Sequence, residues 1–169
     1  MQNHFGAISL ALAACAGVVG AASAEQAMPS DDELHSMYCV TVMNAEISWL
    51  QEEATRMDAA AKAAPSQVVH DYAAGQHEEV VKLLGELMAA QSKLQAYLRP
   101  RSAMLDTPAM LDAIARGNAD WQSFEAMNQR CDKCISLPAA KRQKCVASCG
   151  DVDLATRIGA CSKPTWLSF

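Results

Sequence analysis

The chain has 169 residues, with 14 Lys and Arg against 19 Asp and Glu and a formal net charge of −5. That balance excludes nucleic acid as the expected partner, because a polyphosphate is bound by a clustered positive field. Aromatic residues are only 5% of the chain and alanine is frequent, which suits closely packed helices rather than a β-sandwich.

The first 24 residues contain no Asp, Glu, Lys or Arg. Phe5 to Ala21 is an apolar run, and Ala22-Ser23-Ala24 after it is the small-x-small pattern of a signal-peptidase site. Residues 1–24 are therefore read as a signal peptide, cleaved before Glu25. The usual basic opening is missing, since only the amino terminus and His4 precede the run. A retained membrane span is the weaker reading: the run falls short of the ~20 apolar residues a span needs and has no basic flank. Leu12-Ala13-Ala14-Cys15 has the form of a lipobox, in which Cys15 would be acylated and become the first residue. Simple export is preferred, because 14 residues ahead of Cys15 are few for a lipoprotein signal. The expected location is periplasmic or secreted, and membrane attachment is expected only through lipidation at Cys15.

Residues 25–169 are read as a single helical domain, long enough to bury a substantial core. Ser30-Asp31-Asp32-Glu33 forms a capping box behind Pro29, with three acidic groups at the positive end of the helix dipole. A long helix follows to about residue 62, because Ala, Glu, Gln, Met and Leu dominate and Pro65 stops it. Its apolar rows are Leu34, Tyr38, Val42, Ala45 and Trp49, and Cys39, Met43, Ile47, Leu50, Ala54 and Met57. Residues 38–42 are β-prone in isolation, but their helical flanks outweigh that. Ser66 caps a second helix over about 66–98, with Val80, Leu84, Leu87, Gln91, Leu94 and Leu98 at helical spacing and Gly75 as a kink.

The cysteine-rich helical region spans about 107–161. Thr107-Pro108 begins a short helix with Gly117 as its terminator. Asn118 then caps another, whose face carries Trp121, Phe124, Met127 or Asn128, Cys131 and Ile135. Leu137-Pro138 turns the chain into a further helix from about Ala139 to Cys149, closed by Gly150. The expected fold is all-α, a helical bundle with a disulfide-stapled C-terminal helical hairpin.

Cys39, Cys131, Cys134, Cys145, Cys149 and Cys161 remain once Cys15 is removed with the signal or acylated. Six cysteines in an exported chain read first as three disulfides. Cys131 and Cys134 share one helix face and Cys145 and Cys149 another, so an antiparallel hairpin pairs Cys131 with Cys149 and Cys134 with Cys145. Cys39 is left for Cys161. The alternative is a thiol-redox or metal-handling cluster of Cys131, Cys134, Cys145 and Cys149. Cys131-x-x-Cys134 falls late in its helix, however, where no amino-terminal dipole lowers a thiolate pKa, and zinc thiolates survive poorly under oxidation. Ile135 stands where covalent haem attachment requires histidine. Nested cysteines in a helical hairpin resemble the plan of twin-cysteine helical hairpin proteins. The unequal intervals here depart from their equal spacing, and no function is carried over.

His70 and His77 share a helix face, with Glu78 or Glu79 nearby, as a pair more often solvent-facing than metal-binding. The methionines are scattered, as core filler is, and not clustered as copper ligands are. Glu52-Glu53, Glu78-Glu79 and Asp151-x-Asp153 are carboxylate pairs of the kind any acidic helical protein carries, and Lys141-Arg142-Gln143-Lys144 is a basic patch that would face solvent or an acidic partner. No nucleophile elbow, phosphate loop, dinucleotide fingerprint or HExxH pair occurs. The final Phe169 matches the last residue of outer-membrane barrels, but the chain lacks their alternating strands. No catalytic, cofactor or metal residues are assigned. The functional expectation is an exported, non-enzymatic protein that binds another macromolecule, with a protein as the candidate partner, in the cell envelope or outside the cell, as an inhibitor, immunity-type protein or accessory factor.

Overall fold

The structure, a computed structural model, describes residues 28–167. The signal segment, its cleavage position, Cys15 and Phe169 lie outside the described residues. Among the described residues there are five α-helices and no strand: α1 Asp31–Lys62, α2 Gln67–Leu98, α3 Pro108–Ile135, α4 Ala139–Cys149 and α5 Val152–Cys161. A 3₁₀ turn, Arg99–Met104, links α2 to α3. The fold is an all-α bundle with a disulfide-stapled C-terminal hairpin.

Local chemistry sets most helix starts. The Ser30 amide donates to Glu33 Oε2 at 2.7 Å while Ser30 Oγ accepts from the Glu33 amide at 3.3 Å, closing the capping box of α1. Ser66 Oγ accepts from the Val69 amide for α2, Thr107 Oγ1 from Met110 for α3, and Asp151 Oδ1 from Leu154 for α5. α4 starts at Pro138 with no side-chain cap. Glu33 also pairs with Arg101, whose guanidinium lies 4.3 Å from the Tyr97 ring centroid, so the 3₁₀ turn is held against the start of α1.

α1 is the central element. α2 packs along one side of it, α3 crosses another, and α5 closes over its first half. Ser36, Met37, Tyr38 and Cys39 are buried in succession, a run that a surface helix with one apolar stripe does not show. Val42, Met43 and Leu50 of α1 meet Leu87 and Leu94 of α2, Met110 and Ala113 of α3, and Leu154 and Ile158 of α5 in one core cluster.

The structure corrects several expectations. Gly117 does not end a helix, and Asn118 caps none: α3 runs unbroken from Pro108 to Ile135. Gly117 is buried where α3 crosses α1, and a Cβ added there would lie 2.9 Å from the Tyr38 carbonyl oxygen and 3.0 Å from Thr41 Cβ. Glycine is required for close backbone approach, not for a stop. Gly75 likewise sits inside an uninterrupted α2, with open space around it. Trp49 and Ile135, assigned to inward faces, are 46% and 64% exposed. At the end of α3 it is Cys134 that turns inward, fully buried.

Candidate functional site

Two regions gather functional side chains, and the disulfides position both. Cys131–Cys149 and Cys134–Cys145 bridge α3 and α4 with Cα separations of 5.4 and 5.6 Å, and Cys39–Cys161 ties α1 to the end of α5 at 5.1 Å. All three lie in the ordinary range for disulfides. The inverted order of the two hairpin bridges fixes α3 and α4 antiparallel. Each of the six cysteines is bonded, so the Cys131, Cys134, Cys145 and Cys149 cluster presents disulfides, not a dithiol or a thiolate cage. Among the described residues no group of three or more His, Cys, Asp or Glu could hold a metal ion.

The hairpin carries a concentrated charge. From Arg130 to Cys149 the chain has five basic residues, Arg130, Lys133, Lys141, Arg142 and Lys144, and one acidic residue, Asp132, an excess of +4 (five less one) in a chain of net −5. At about 100° per residue, Arg130 and Lys133 project to one side of the cysteine row on α3, and Lys141 and Lys144 to one side of the row on α4. In an antiparallel pair these are the same side. All four are exposed, and none forms an ion pair among the described residues. Arg142 instead turns back, its Nε and Nη2 donating to the Leu137 carbonyl at 3.3 and 3.2 Å, and buttresses the hairpin turn. No residue of α4 is buried, so the hairpin stands proud of the core on one side.

The second region is an open cleft of about 680 Å³ between α1, α3 and α5, lined in part by Asp31, Leu34, His35, Tyr38, Arg116 and Arg157. Tyr38 Oη donates to Asp120 Oδ2 at 2.9 Å, and Arg157 Nε lies 3.4 Å from the same oxygen. Burial first, then the bond to Asp120, pushes the Tyr38 phenol up to about 12. His35 meets the Trp166 ring edge-on at 4.2 Å, stacks over Tyr38 at 6.0 Å, and lies 3.9 Å from Cys39 Sγ. Its pKa falls below the ordinary value because of desolvation, with Asp32 opposing and Arg116 assisting. The cleft is internally compensated: Asp120 already serves Tyr38 and Arg157, and Arg116 pairs with Asp112 at 3.1 Å. Asp120 joins α3 to Tyr38 of α1 and Arg157 of α5, while Arg116 is paired within α3.

The remaining sequence candidates are dispersed. His70 is exposed on α2, its Nδ1 3.1 Å from Asp71 Oδ1, and among the described residues it does not join His77 in a ligand set. Glu53 is held by Arg56, and Glu79 accepts from Gln76 at 3.4 Å. Asp151 is a helix cap. The sequence reading singled out neither Asp120 nor Arg157, because their partner Tyr38 lies 82 residues from Asp120. Nor did it join Arg130 and Lys133 to the Lys141–Lys144 patch. The signal was available in the spacing of these residues from the cysteines.

Compared with known proteins, the chain matches no family model, and no curated protein or solved structure shows significant similarity to it. The fold and the two regions therefore define the chain by themselves: a helical protein held by three disulfides. Among the described residues no helix is long and apolar enough to cross a membrane. Both features are compatible with an extracellular or periplasmic setting.

Proposed function

We propose that this is an exported, non-enzymatic protein that acts by binding another protein in the cell envelope or outside the cell, as an inhibitor, an immunity-type protein or an accessory factor. The observation that carries the reading is the basic face of the stapled hairpin. Arg130, Lys133, Lys141 and Lys144 are exposed and have no ion-pair partner among the described residues, on two helices locked in register by two disulfides. A locked face loses little backbone freedom on docking. Its charge, set against an acidic remainder, favours a partner with an acidic surface and speeds encounter with it. The leader-like residues 1–24 and the three disulfides support export.

The test uses the charge reversal K133E/K141E/K144E, which alters exposed positions alone. Wild-type and variant proteins are immobilised and exposed to native envelope and culture proteins. Proteins retained by the wild type, released as salt is raised, and lost on the variant identify the partner. Identical retention by both would overturn the assignment of the hairpin as the binding face.

A further inference from the structure

In chain order, Cys39, Cys131, Cys134, Cys145, Cys149 and Cys161 pair first with last, second with fifth, and third with fourth. Only Cys134–Cys145 joins cysteines that are neighbours in that order. Pairing by order of appearance gives that bond flanked by Cys39–Cys131 and Cys149–Cys161, neither of which the native structure contains. Loop closure pulls the same way. Cys149 and Cys161 are 12 residues apart (161 less 149), whereas Cys39 and Cys161 are 122 apart. The three-halves power of that ratio favours the short loop at Cys161 roughly thirtyfold, against roughly twelvefold the other way at Cys131, which is 92 residues from Cys39 (131 less 39) and 18 from Cys149, so the mispaired set is favoured about threefold overall. A chain oxidised into three such bonds holds no thiolate among these six cysteines, so it has no internal nucleophile with which to correct itself.

We propose that this protein is a client of a thiol–disulfide isomerase, whose substrate bonds are the Cys39–Cys131 and Cys149–Cys161 mispairs. The catalyst's thiolate attacks Cys131 Sγ, forming a mixed disulfide and releasing the Cys39 thiolate. Cys39 attacks Cys161 Sγ, which forms Cys39–Cys161 and releases the Cys149 thiolate. Cys149 then attacks Cys131 Sγ in the mixed disulfide, forming Cys131–Cys149 and returning the catalyst's thiolate. Three exchanges convert two mispairs into two native bonds, the number of disulfides is unchanged, and no oxidant is consumed. Burial gives the sequence its direction: Cys39 and Cys161 are 0% and 1% exposed once joined, out of reach of further attack. In the cell this rests on the export reading, since it requires an oxidising compartment. The chemistry itself does not.

The experiment reoxidises the reduced chain from Glu25 to Phe169 with a thiol-free oxidant, then removes the oxidant. A purified disulfide isomerase in its dithiol form is added at about one-tenth of the chain concentration. Peptide mass spectrometry without reduction maps the bonds before and after. Mispaired chain, led by Cys39–Cys131 and Cys149–Cys161, is expected to persist without the isomerase and to convert to the native set with it. An isomerase lacking its second active-site cysteine is expected to convert the mispaired chain as well, because Cys149 of the chain itself releases the catalyst from Cys131. Native pairing in equal yield from oxidation alone would overturn the proposal, as would mispaired chain that the isomerase leaves unchanged. Failure of the export reading has a separate signature, residues 1–24 retained on protein taken from its natural source.

Discussion

Gly117 shows how one missing Cβ sets a helix crossing. The atom it lacks would press on the Tyr38 carbonyl, a backbone group fixed within α1. Gly117→Ala is therefore expected to destabilise the fold by about 1–3 kcal/mol despite its higher helix propensity, measured as a lower midpoint in urea unfolding. Gly85→Ala, with nothing within 4 Å, is the matched control and should be neutral or stabilising. Ser36 is the opposite case: its hydroxyl is buried and meets no hydrogen-bond partner among the described residues. Ser36→Ala is expected to raise stability by about 1 kcal/mol, because the variant no longer buries an unmet polar group. The titrating residues add a pH dependence. Burial raises the Glu33 pKa, but the Ser30 amide and hydroxyl and the Arg101 charge outweigh it, leaving it below its ordinary value of 4.5. His35 is also lowered, chiefly by desolvation. For both groups the folded state binds the proton less readily than the unfolded chain. Their contribution is complete above the ordinary values, 6.5 for His35 and 4.5 for Glu33, and is lost as pH falls through the folded ones. Thermal midpoints are expected to drop on acidification from neutral pH, and less steeply in His35→Gln between pH 7 and the carboxylate range. Tyr38 works in the alkaline direction: its raised pKa gives a contribution complete below 10.0 and lost as pH rises toward about 12.

At the scale of elements, ends written in nearby residues were legible, the stops at Lys62, Leu98 and Cys149 as much as the starts at Asp31, Gln67 and Pro108. Ser30, Ser66 and Thr107 each present a side-chain oxygen to an amide three residues on, a relation written within four residues of sequence. Ser30→Ala is expected to cost about 1 kcal/mol and to leave the fold otherwise intact, as read from denaturant midpoints. Gly117 could not be read this way, because the reason for it is Tyr38 and Thr41, far away in sequence and placed only by packing. The exposure of Trp49 has a similar cause. Helical periodicity assigns it a face, but whether anything covers that face depends on where α3 crosses, and Trp49 lies at the edge of a shallow groove beside Trp121. The hairpin was legible because its constraint is local, with cysteine intervals matching the turns of the end of α3 and of α4. The cleft was not, since its contacts join α1, α3 and α5 across long stretches of chain.

Over the whole molecule, stability divides unequally among the bridges. Loop-entropy arguments assign about 5 kcal/mol to Cys39–Cys161, which closes 122 residues, and about 3 kcal/mol to Cys131–Cys149, which closes 18. Cys39→Ala/Cys161→Ala is accordingly expected to lower the unfolding free energy more than Cys131→Ala/Cys149→Ala does, as compared by calorimetry. The second variant should keep the α1–α2–α3 core while loosening the hairpin and its basic face, because no residue of α4 contributes to the buried core.

The tie between Cys39 and Cys161 also decides how the molecule would carry load. Cys39 lies 11 residues after Met28 and Cys161 six residues before Leu167, at the two ends of the described chain. A pull applied at those ends passes through the sulfur–sulfur bond and bypasses everything between. Only the short outer segments can pay out, to about 60 Å when fully extended. α2, α3 and the stapled hairpin would stay slack and folded under tension that would unravel an untied bundle of the same helices.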